Sequence, residues 1–307
     1  MNRCPITYEL CEGKYSRDGL RLLSPRLGEL RDFPYGKSAQ LELALDFADK
    51  LSFSGVQPKL SAKLSVREEL FKVVRTGGTF LLKPPHANYE ELPQNEDLTM
   101  KLAAMAGIEI PVHGMVWAVD QSLVYFIQRF DRGPKGRKVS VEDFGQLGGL
   151  SREAKYDFSM EKAALLIEKF CTFPMNEKKK CFRLLVFNFL IGNEDMHAKN
   201  FSVIHELDLC QLSPAYDLVN STIVTHSKEE IALPVRGKKS NLNRDDLVQY
   251  FGIERLGLLR NSVDEVLLQI EACLEQWKKT IVVSFLSEKK KNAYLHLLED
   301  RWKRLFN

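Results

Sequence analysis

The stretch LLVFNFLIGNEDMHAKNFSVI, Leu184 to Ile204, sets an apolar run on each side of a polar centre. Such flanks are expected to be buried, and burial makes an unpaired charge expensive. The centre nevertheless carries Glu194, Asp195, His197 and Lys199 between the amides of Asn193 and Asn200. Phe182 to Ile191 is nearly continuous in apolarity, which suits a helix inside a domain. From Phe201 the pattern reads as a short hairpin turning near Glu206, Leu207 and Asp208. The polar centre is then a loop at the rim of a packed lobe. Glu194 acquires no role from this pattern.

Asp195 and Asn200 stand in D-x-x-x-x-N spacing. Phosphoryl transfer needs a carboxylate that orients an acceptor hydroxyl and takes its proton, with oxygen ligands for Mg²⁺ close by. Asp195 suits the first role and Asn200 the second. Asp217, in LSPAYDLVN, lies beyond the hairpin, where a returning strand can bring its carboxylate beside Asn200. Each motif alone has a plainer reading, a turn or helix cap made by Asp and Asn. Together they are stronger, because kinase-like sites use these elements in this order.

Three further segments bear on nucleotide binding. Lys83 ends the apolar strand GTFLLKPP, and Pro84-Pro85 removes the next two backbone donors. Its ammonium points to solvent or neutralises phosphate in a cleft, and Glu96 on the following helix is a possible partner. SFSGVQPKLSAKL, Ser52 to Leu64, begins with a Ser/Gly turn whose N–H groups can cradle phosphate, with Lys59 adding charge. One glycine makes neither G-x-G-x-x-G nor a Walker A loop, and an ordinary turn is the alternative. YFIQRFDR, Tyr125 to Arg132, presents either backbone groups to an adenine edge around Gln128 and Phe130, or an edge strand.

Working outward, residues 1–37 read as an irregular lead-in, and Ser38 to Leu51 as a helix behind a serine cap. Leu51 to Arg132 read as a β-β-α-β-β half, with Gly77-Gly78 as a hairpin signal and Gly107 ending the helix. GPKGRK, Gly133 to Lys138, breaks the pattern and marks a lobe boundary. Beyond it the chain is mostly helical, closing with two or three amphipathic helices between Arg244 and Asn307.

The 307 residues suit two modest domains or lobes, and 44% apolar with 28% charged residues is ordinary for a soluble globular chain. A formal net charge of +3 makes no demand for nucleic acid. The opening MNRCPITYEL lacks an apolar h-region, so no signal peptide is expected, and no run approaches the ~20 apolar residues of a membrane span. Six scattered cysteines without C-x-x-C spacing read as free thiols of a cytosolic protein. His86, His113, His205, His226 and His296 have no metal spacing, and RGKKSNLNR, Arg236 to Arg244, reads as a solvated basic loop.

Taken together, SFSGVQPKLSAKL, FLLKP, LPQNEDLTMKLA, YFIQRFDR, VEDFGQL, IGNEDMHAKNFSVI and LSPAYDLVNS resemble the successive motifs of the HipA-like serine/threonine kinases, toxins of bacterial toxin–antitoxin systems. The resemblance runs from Ser52 through Asn220 and weakens toward the C-terminus. It implies an α/β (α+β) two-lobed protein-kinase-like fold. A smaller, mixed, β-rich N-lobe would occupy residues 1–133 and a mainly helical C-lobe residues 134–307. It further implies Asp195 as the catalytic aspartate and Asn200 and Asp217 as Mg²⁺ ligands. His197 and Lys199 would contact the nucleotide, and Lys83 the phosphates. Ser54, Gly55, Val56, Gln57 and Lys59 would form the phosphate loop, and Gln128 to Phe130 the adenine-facing hinge. Ser52 corresponds to the serine that these kinases phosphorylate on themselves, and Ser54 offers a second one.

The activity so implied is cytoplasmic transfer of the ATP γ-phosphoryl group to a serine or threonine, with an aminoacyl-tRNA synthetase as target. Only about fifty residues precede Ser52, which resembles the short HipT form of three-component HipBST systems. There a small subdomain-like protein and a helix-turn-helix protein act as antitoxins, and operator DNA is met only through their complex. A small-molecule kinase or an ATP-binding module of the same fold is the alternative. No membrane contact is expected.

Overall fold

Strands β1 (Asn2–Arg3) and β2 (Leu10–Cys11) pair antiparallel ahead of helix α1 (Arg17–Leu23). Ser16 Oγ caps α1 by accepting from Gly19 N at 3.1 Å. The lead-in is therefore not irregular, contrary to expectation. Cys4, Ile6, Leu20, Leu27, Leu30 and Phe33 are buried in the same apolar cluster as the sheet described next. Their spacing follows neither the helix nor the strand period, so only tertiary packing reveals them. Helix α2 follows at Lys37–Phe47.

The computed structural model describes residues 1–47, 58–86, 88–133, 136–151, 153–225 and 227–307. Ser52, Ser54, Gly55, Val56 and Gln57 lie outside the described residues, as does the last part of the helix expected to reach Leu51.

Five strands, β3 (Leu60–Ser65), β4 (Leu70–Val73), β5 (Phe80–Lys83), β6 (His113–Trp117) and β7 (Leu123–Gln128), form one antiparallel sheet in the order β4-β3-β5-β7-β6. Helix α3 (Leu92–Met105) joins β5 to β6. Three strands precede that helix, one more than the expected β-β-α-β-β order. Gly77-Gly78 does not close a hairpin either, because β3 lies between β4 and β5. The glycines serve a close approach instead. Gly77 has φ +70°, and a Cβ on Gly78 would stand 2.1 Å from Ser61 Oγ and 2.9 Å from Ala62 N. Strand β7 is central, with Leu123 to Ile127 buried in succession, so the edge-strand reading of YFIQRFDR fails. Phe71 holds the core together, its ring 5.2 Å from both Phe80 and Phe126. These strands, with α1, α2 and the first half of α3, belong to a compact unit made of Met1–Leu98, Pro111–Arg137 and Val283–Leu286.

The second compact unit comprises Thr99–Ile110, Lys138–Val282 and Ser287–Asn307. Strand β8 (Ser140–Asp143) leads into helix α4 (Phe144–Leu147) through a capping box of Asp143 and Gln146. VEDFGQL thus contributes a strand that no apolar alternation announced. Helices α5 (Met160–Phe170) and α6 (Pro174–Ile191) follow, then the hairpin β9 (Ser202–Glu206) and β10 (Leu209–Leu212), which turns where expected. Strand β9 pairs with both neighbours in the order β10-β9-β8. A short helix α7 (Thr222–Thr225), a π-helical segment (Asp245–Arg255) and helices α8 (Arg260–Glu271), α9 (Leu274–Val283) and α10 (Glu288–Phe306) complete the unit.

The apolar end of α6 is buried from Leu184 to Ile191, as its composition requires. Arg301 of α10 supports it, donating to Phe189 O at 3.0 Å with its guanidinium 5.0 Å from the Phe189 ring. In the basic loop, Lys238 reaches Asp246 at 2.8 Å, Arg236 reaches Asp245 at 3.1 Å and Lys239 reaches Glu229 at 3.5 Å. Its cations are thus engaged within the unit. None of the six cysteines is in a disulfide. Among the described residues no helix is long and apolar enough to cross a membrane.

Candidate active site

The loop that follows α6 is built by its amides. Gly192 ends the helix in the left-handed region at φ +74°, where a Cβ would stand 2.4 Å from Leu297 Cδ2 and 2.8 Å from Thr222 Oγ1. Asn193 is fully buried, donating from Nδ2 to Asn188 Oδ1 at 3.0 Å and accepting from Asp195 N at 3.1 Å. Glu194, without a role in the sequence, is a brace. Its N–H donates to Ser221 Oγ at 2.7 Å, and its Oε1 accepts from Thr222 Oγ1 at 2.5 Å.

Between these anchors Asp195 is exposed, so its carboxylate is accessible to an incoming group. Its backbone carbonyl accepts from His197 N at 2.8 Å and from Asn200 Nδ2 at 2.9 Å. Only the amino end of an amide can donate to a carbonyl, so this bond fixes how Asn200 is turned. Its Oδ1 is left free of that bond, on the other side of the amide. His197 is buried, with Nδ1 unpartnered among the described residues. Burial lowers its proton affinity and the Lys155 charge lowers it further, against the opposing carboxylates of Asp195 and Asp217. Asp217 itself has φ +55°, a strained conformation for a residue with a side chain. Tyr216 beside it donates to Lys199 O at 3.0 Å and shares a 2.6 Å hydrogen bond with Ser202 Oγ. That bond ties the segment after β10 to the loop. Asn200 and Asp217 offer the hard oxygen donors that Mg²⁺ prefers, so the donor set fits that ion.

Tyr156 was not foreseen. Its hydroxyl donates to Asp195 Oδ1 at 2.6 Å, and its ring meets His197 edge-on at 5.2 Å. Nothing in EAKYDF marks it, since the contact spans 39 positions and follows no local period.

In the other unit, Lys83 ends β5 and is 1% exposed, pairing with Glu96 Oε1 at 2.5 Å. Its Nζ lies 5.6 Å from the Tyr125 ring. The next residue of α3, Asp97, is also buried and binds His113 Nδ1 at 2.9 Å. Of the two readings of Lys83, solvent or cleft, the structure shows a buried side chain paired with Glu96, and His113 is a core histidine held by a carboxylate. Lys59 is exposed just ahead of β3. Gln128, at the end of β7, is exposed, and Phe130 is half-buried between Arg129 and Asp131, which form a paired contact at 2.9 and 2.6 Å.

A mixed α/β chain with a buried lysine–glutamate pair in one unit and an Asp-x-x-x-x-Asn loop in the other has the organisation of a kinase-like fold. The chain belongs to the family defined by the HipA-like C-terminal domain, whose model matches residues 51–277. It is 26% identical over 282 residues to a Haemophilus influenzae protein named "Putative kinase", covering 83% of this chain and 81% of that one. It is 32% identical over 254 residues to "Putative kinase Y4dM" of Sinorhizobium fredii, covering 76% of this chain and 61% of that one. It is 27% identical over 217 residues to the serine/threonine-protein kinase toxin HipA of Shewanella oneidensis. The match covers 62% of this chain and 48% of that protein, so the chain spans about half the length of that relative.

Two solved structures share the fold. HipA of Shewanella oneidensis, in complex with HipB and operator DNA, aligns with a TM-score of 0.69 at 22% identity, over 91% of this chain and 73% of that one. The Helicobacter pylori proinflammatory kinase CtkA aligns with a TM-score of 0.55 at 17% identity, over 73% and 86%.

Proposed function

We propose that the chain is an ATP-dependent serine/threonine protein kinase, with residues 1–133 as the lobe bearing Lys83 and residues 134–307 as the lobe bearing the catalytic loop. The observation that carries this reading is the Asn200 amide held on the Asp195 carbonyl, which couples a candidate metal ligand to an exposed candidate base. Asp195 orients the acceptor hydroxyl and receives its proton. Asn200 Oδ1 and the Asp217 carboxylate hold Mg²⁺, which when bound neutralises charge on the transferring phosphoryl group. Lys83, Lys59 and the Ser54–Gln57 backbone bind phosphate. His197 and Lys199 line the nucleotide side of the loop, and Gln128 to Phe130 bind the adenine edge.

The family supports a toxin role, with antitoxin proteins as partners and a cytoplasmic location. We assign an aminoacyl-tRNA synthetase as target, and autophosphorylation at Ser52 or Ser54, on the sequence resemblance. A phosphate there adds roughly −1.5 to −2 charge beside the ATP phosphates and opposes binding. Mass spectrometry of active protein with neither serine modified removes that regulation.

The test is transfer from γ-radiolabelled ATP into bacterial lysate proteins, comparing wild type with Asp195→Gln at equal far-UV circular dichroism. Loss of transfer in the variant is expected. Equal transfer by both ends the assignment of Asp195. A wild type that consumes ATP yet labels no protein points to a small-molecule acceptor.

A further inference from the structure

The Asp195 carboxylate has two oxygens, and the chain itself uses one. Tyr156 donates its hydroxyl to Oδ1 at 2.6 Å, while Oδ2 carries no hydrogen bond among the described residues. The phenol ring is itself held from several sides. His197 meets it edge-on at 5.2 Å, Lys155 Nζ stands 4.8 Å from its centroid, and Lys239 Nζ stands 5.8 Å away. Lys239 is in turn paired with Glu229 at 3.5 Å. These contacts aim the hydroxyl at the carboxylate from outside the loop that carries it.

We propose that Tyr156 is a positioning residue for phosphoryl transfer, locking the Asp195 carboxylate through Oδ1 so that Oδ2 faces the acceptor hydroxyl. The inference rests on the kinase reading above and adds to it a group from a different segment of the chain. An exposed carboxylate otherwise rotates about its terminal torsion, whose wells are broad. A charge-assisted hydrogen bond narrows that freedom. The phenol is suited to remain the donor, because partial desolvation and the adjacent Asp195 charge push its own ionisation well above the usual tyrosine range.

The experiment compares wild type with Tyr156→Phe, which keeps the ring among His197, Lys155 and Lys239 and removes only the hydroxyl. Single-turnover transfer from saturating γ-radiolabelled ATP to lysate proteins should slow by about 10- to 100-fold, the worth of one hydrogen bond to a charged group. ATP affinity, read by fluorescent-nucleotide titration, and the melting curve should stay unchanged. In an Asp195→Asn background the same change should slow residual transfer much less, since the carboxylate to be oriented is gone. A Phe variant as fast as an active wild type overturns the inference and leaves the kinase reading intact. A faster variant also overturns it, and shows that the hydroxyl obstructs the acceptor. A wild type without transfer to any acceptor overturns the kinase reading and the inference with it.

Discussion

Lys83 Nζ lies 2.5 Å from Glu96 Oε1, and both side chains are almost wholly shut from water. Neither charge could be buried alone, so strand β5 and helix α3 are fixed to each other by an ion pair inside one unit. Glu96→Gln should lower unfolding free energy by about 3–5 kcal/mol, the usual result of removing one partner of a buried pair. Replacing both, Lys83→Met with Glu96→Leu, should recover part of that loss, because an apolar pair needs no desolvation of charge. The urea midpoint reads both effects. The double variant should still fail in phosphate transfer, which separates Lys83's part in the fold from its proposed part in binding phosphate.

Gly192 meets two demands at once. Its φ of +74° is left-handed, and a Cβ would collide with Leu297 and Thr222. Gly192→Ala should therefore destabilise by roughly 1–3 kcal/mol through overpacking, with about 1–2 kcal/mol more from the left-handed backbone. Thr222 N also donates to Gly192 O at 3.1 Å while its hydroxyl donates to Glu194, so the disturbance passes directly into the loop. Melting and transfer activity should fall together. A variant that melts like the wild type would mean that the loop relaxes around the methyl group.

The contrast between Glu194 and Tyr156 shows what a linear reading could reach. The loop, its helix and its hairpin were legible because a buried apolar run and a turn are local patterns, and Asp195 with Asn200 follows from spacing within that loop. Glu194's bonds go to Ser221 and Thr222, and Tyr156's goes to Asp195. Both depend on contacts formed after distant segments meet. The same holds for the lead-in, whose Leu27, Leu30 and Phe33 have a core to enter only because the five-stranded sheet exists. Gly77-Gly78 misled for a related reason. Two glycines announce a close backbone approach, and the sequence does not say whether the approach is to a paired strand or past a third one.

Glu230 joins the C-terminal helix to the segment before the π-helical turn. Arg304 grips both its oxygens, at 2.5 and 3.0 Å, and Leu242 N donates to Oε2 at 2.9 Å. Burial pushes its ionisation upward, but the Arg304 guanidinium and the Leu242 N–H outweigh that and hold it below the ordinary 4.5. A carboxylate depressed in the folded state contributes stability that is fully present above its unfolded value and is lost as pH falls through the folded one. Wild type should thus lose stability below about pH 4.5 more steeply than Glu230→Gln, whose curve should be lower at neutral pH and flatter in acid. Denaturant midpoints between neutral and acidic pH test this, and parallel curves would remove Glu230 from the acid response.

Asn200 has two duties that different substitutions can part. Its Nδ2 holds the Asp195 carbonyl, and its Oδ1 is the proposed metal ligand beside Asp217. Asn200→Asp keeps an oxygen for the metal but replaces the donor with a second acceptor facing that carbonyl. Asn200→Ala removes both. Loss of outer-shell partners alone weakens metal sites by about 10- to 100-fold, so loss of a direct ligand should cost at least as much. Nucleotide titrations with and without Mg²⁺ are the measurement. For Asn200→Ala the Mg²⁺-dependent part of ATP affinity should fall by about 10-fold or more, with metal-free affinity little changed. Asn200→Asp should retain most of the Mg²⁺ effect while losing transfer rate, because the loop that presents Asp195 is no longer tied. If both variants keep the wild-type response to Mg²⁺, Asn200 is a loop fastener only, and the metal assignment passes to Asp217 and other oxygens.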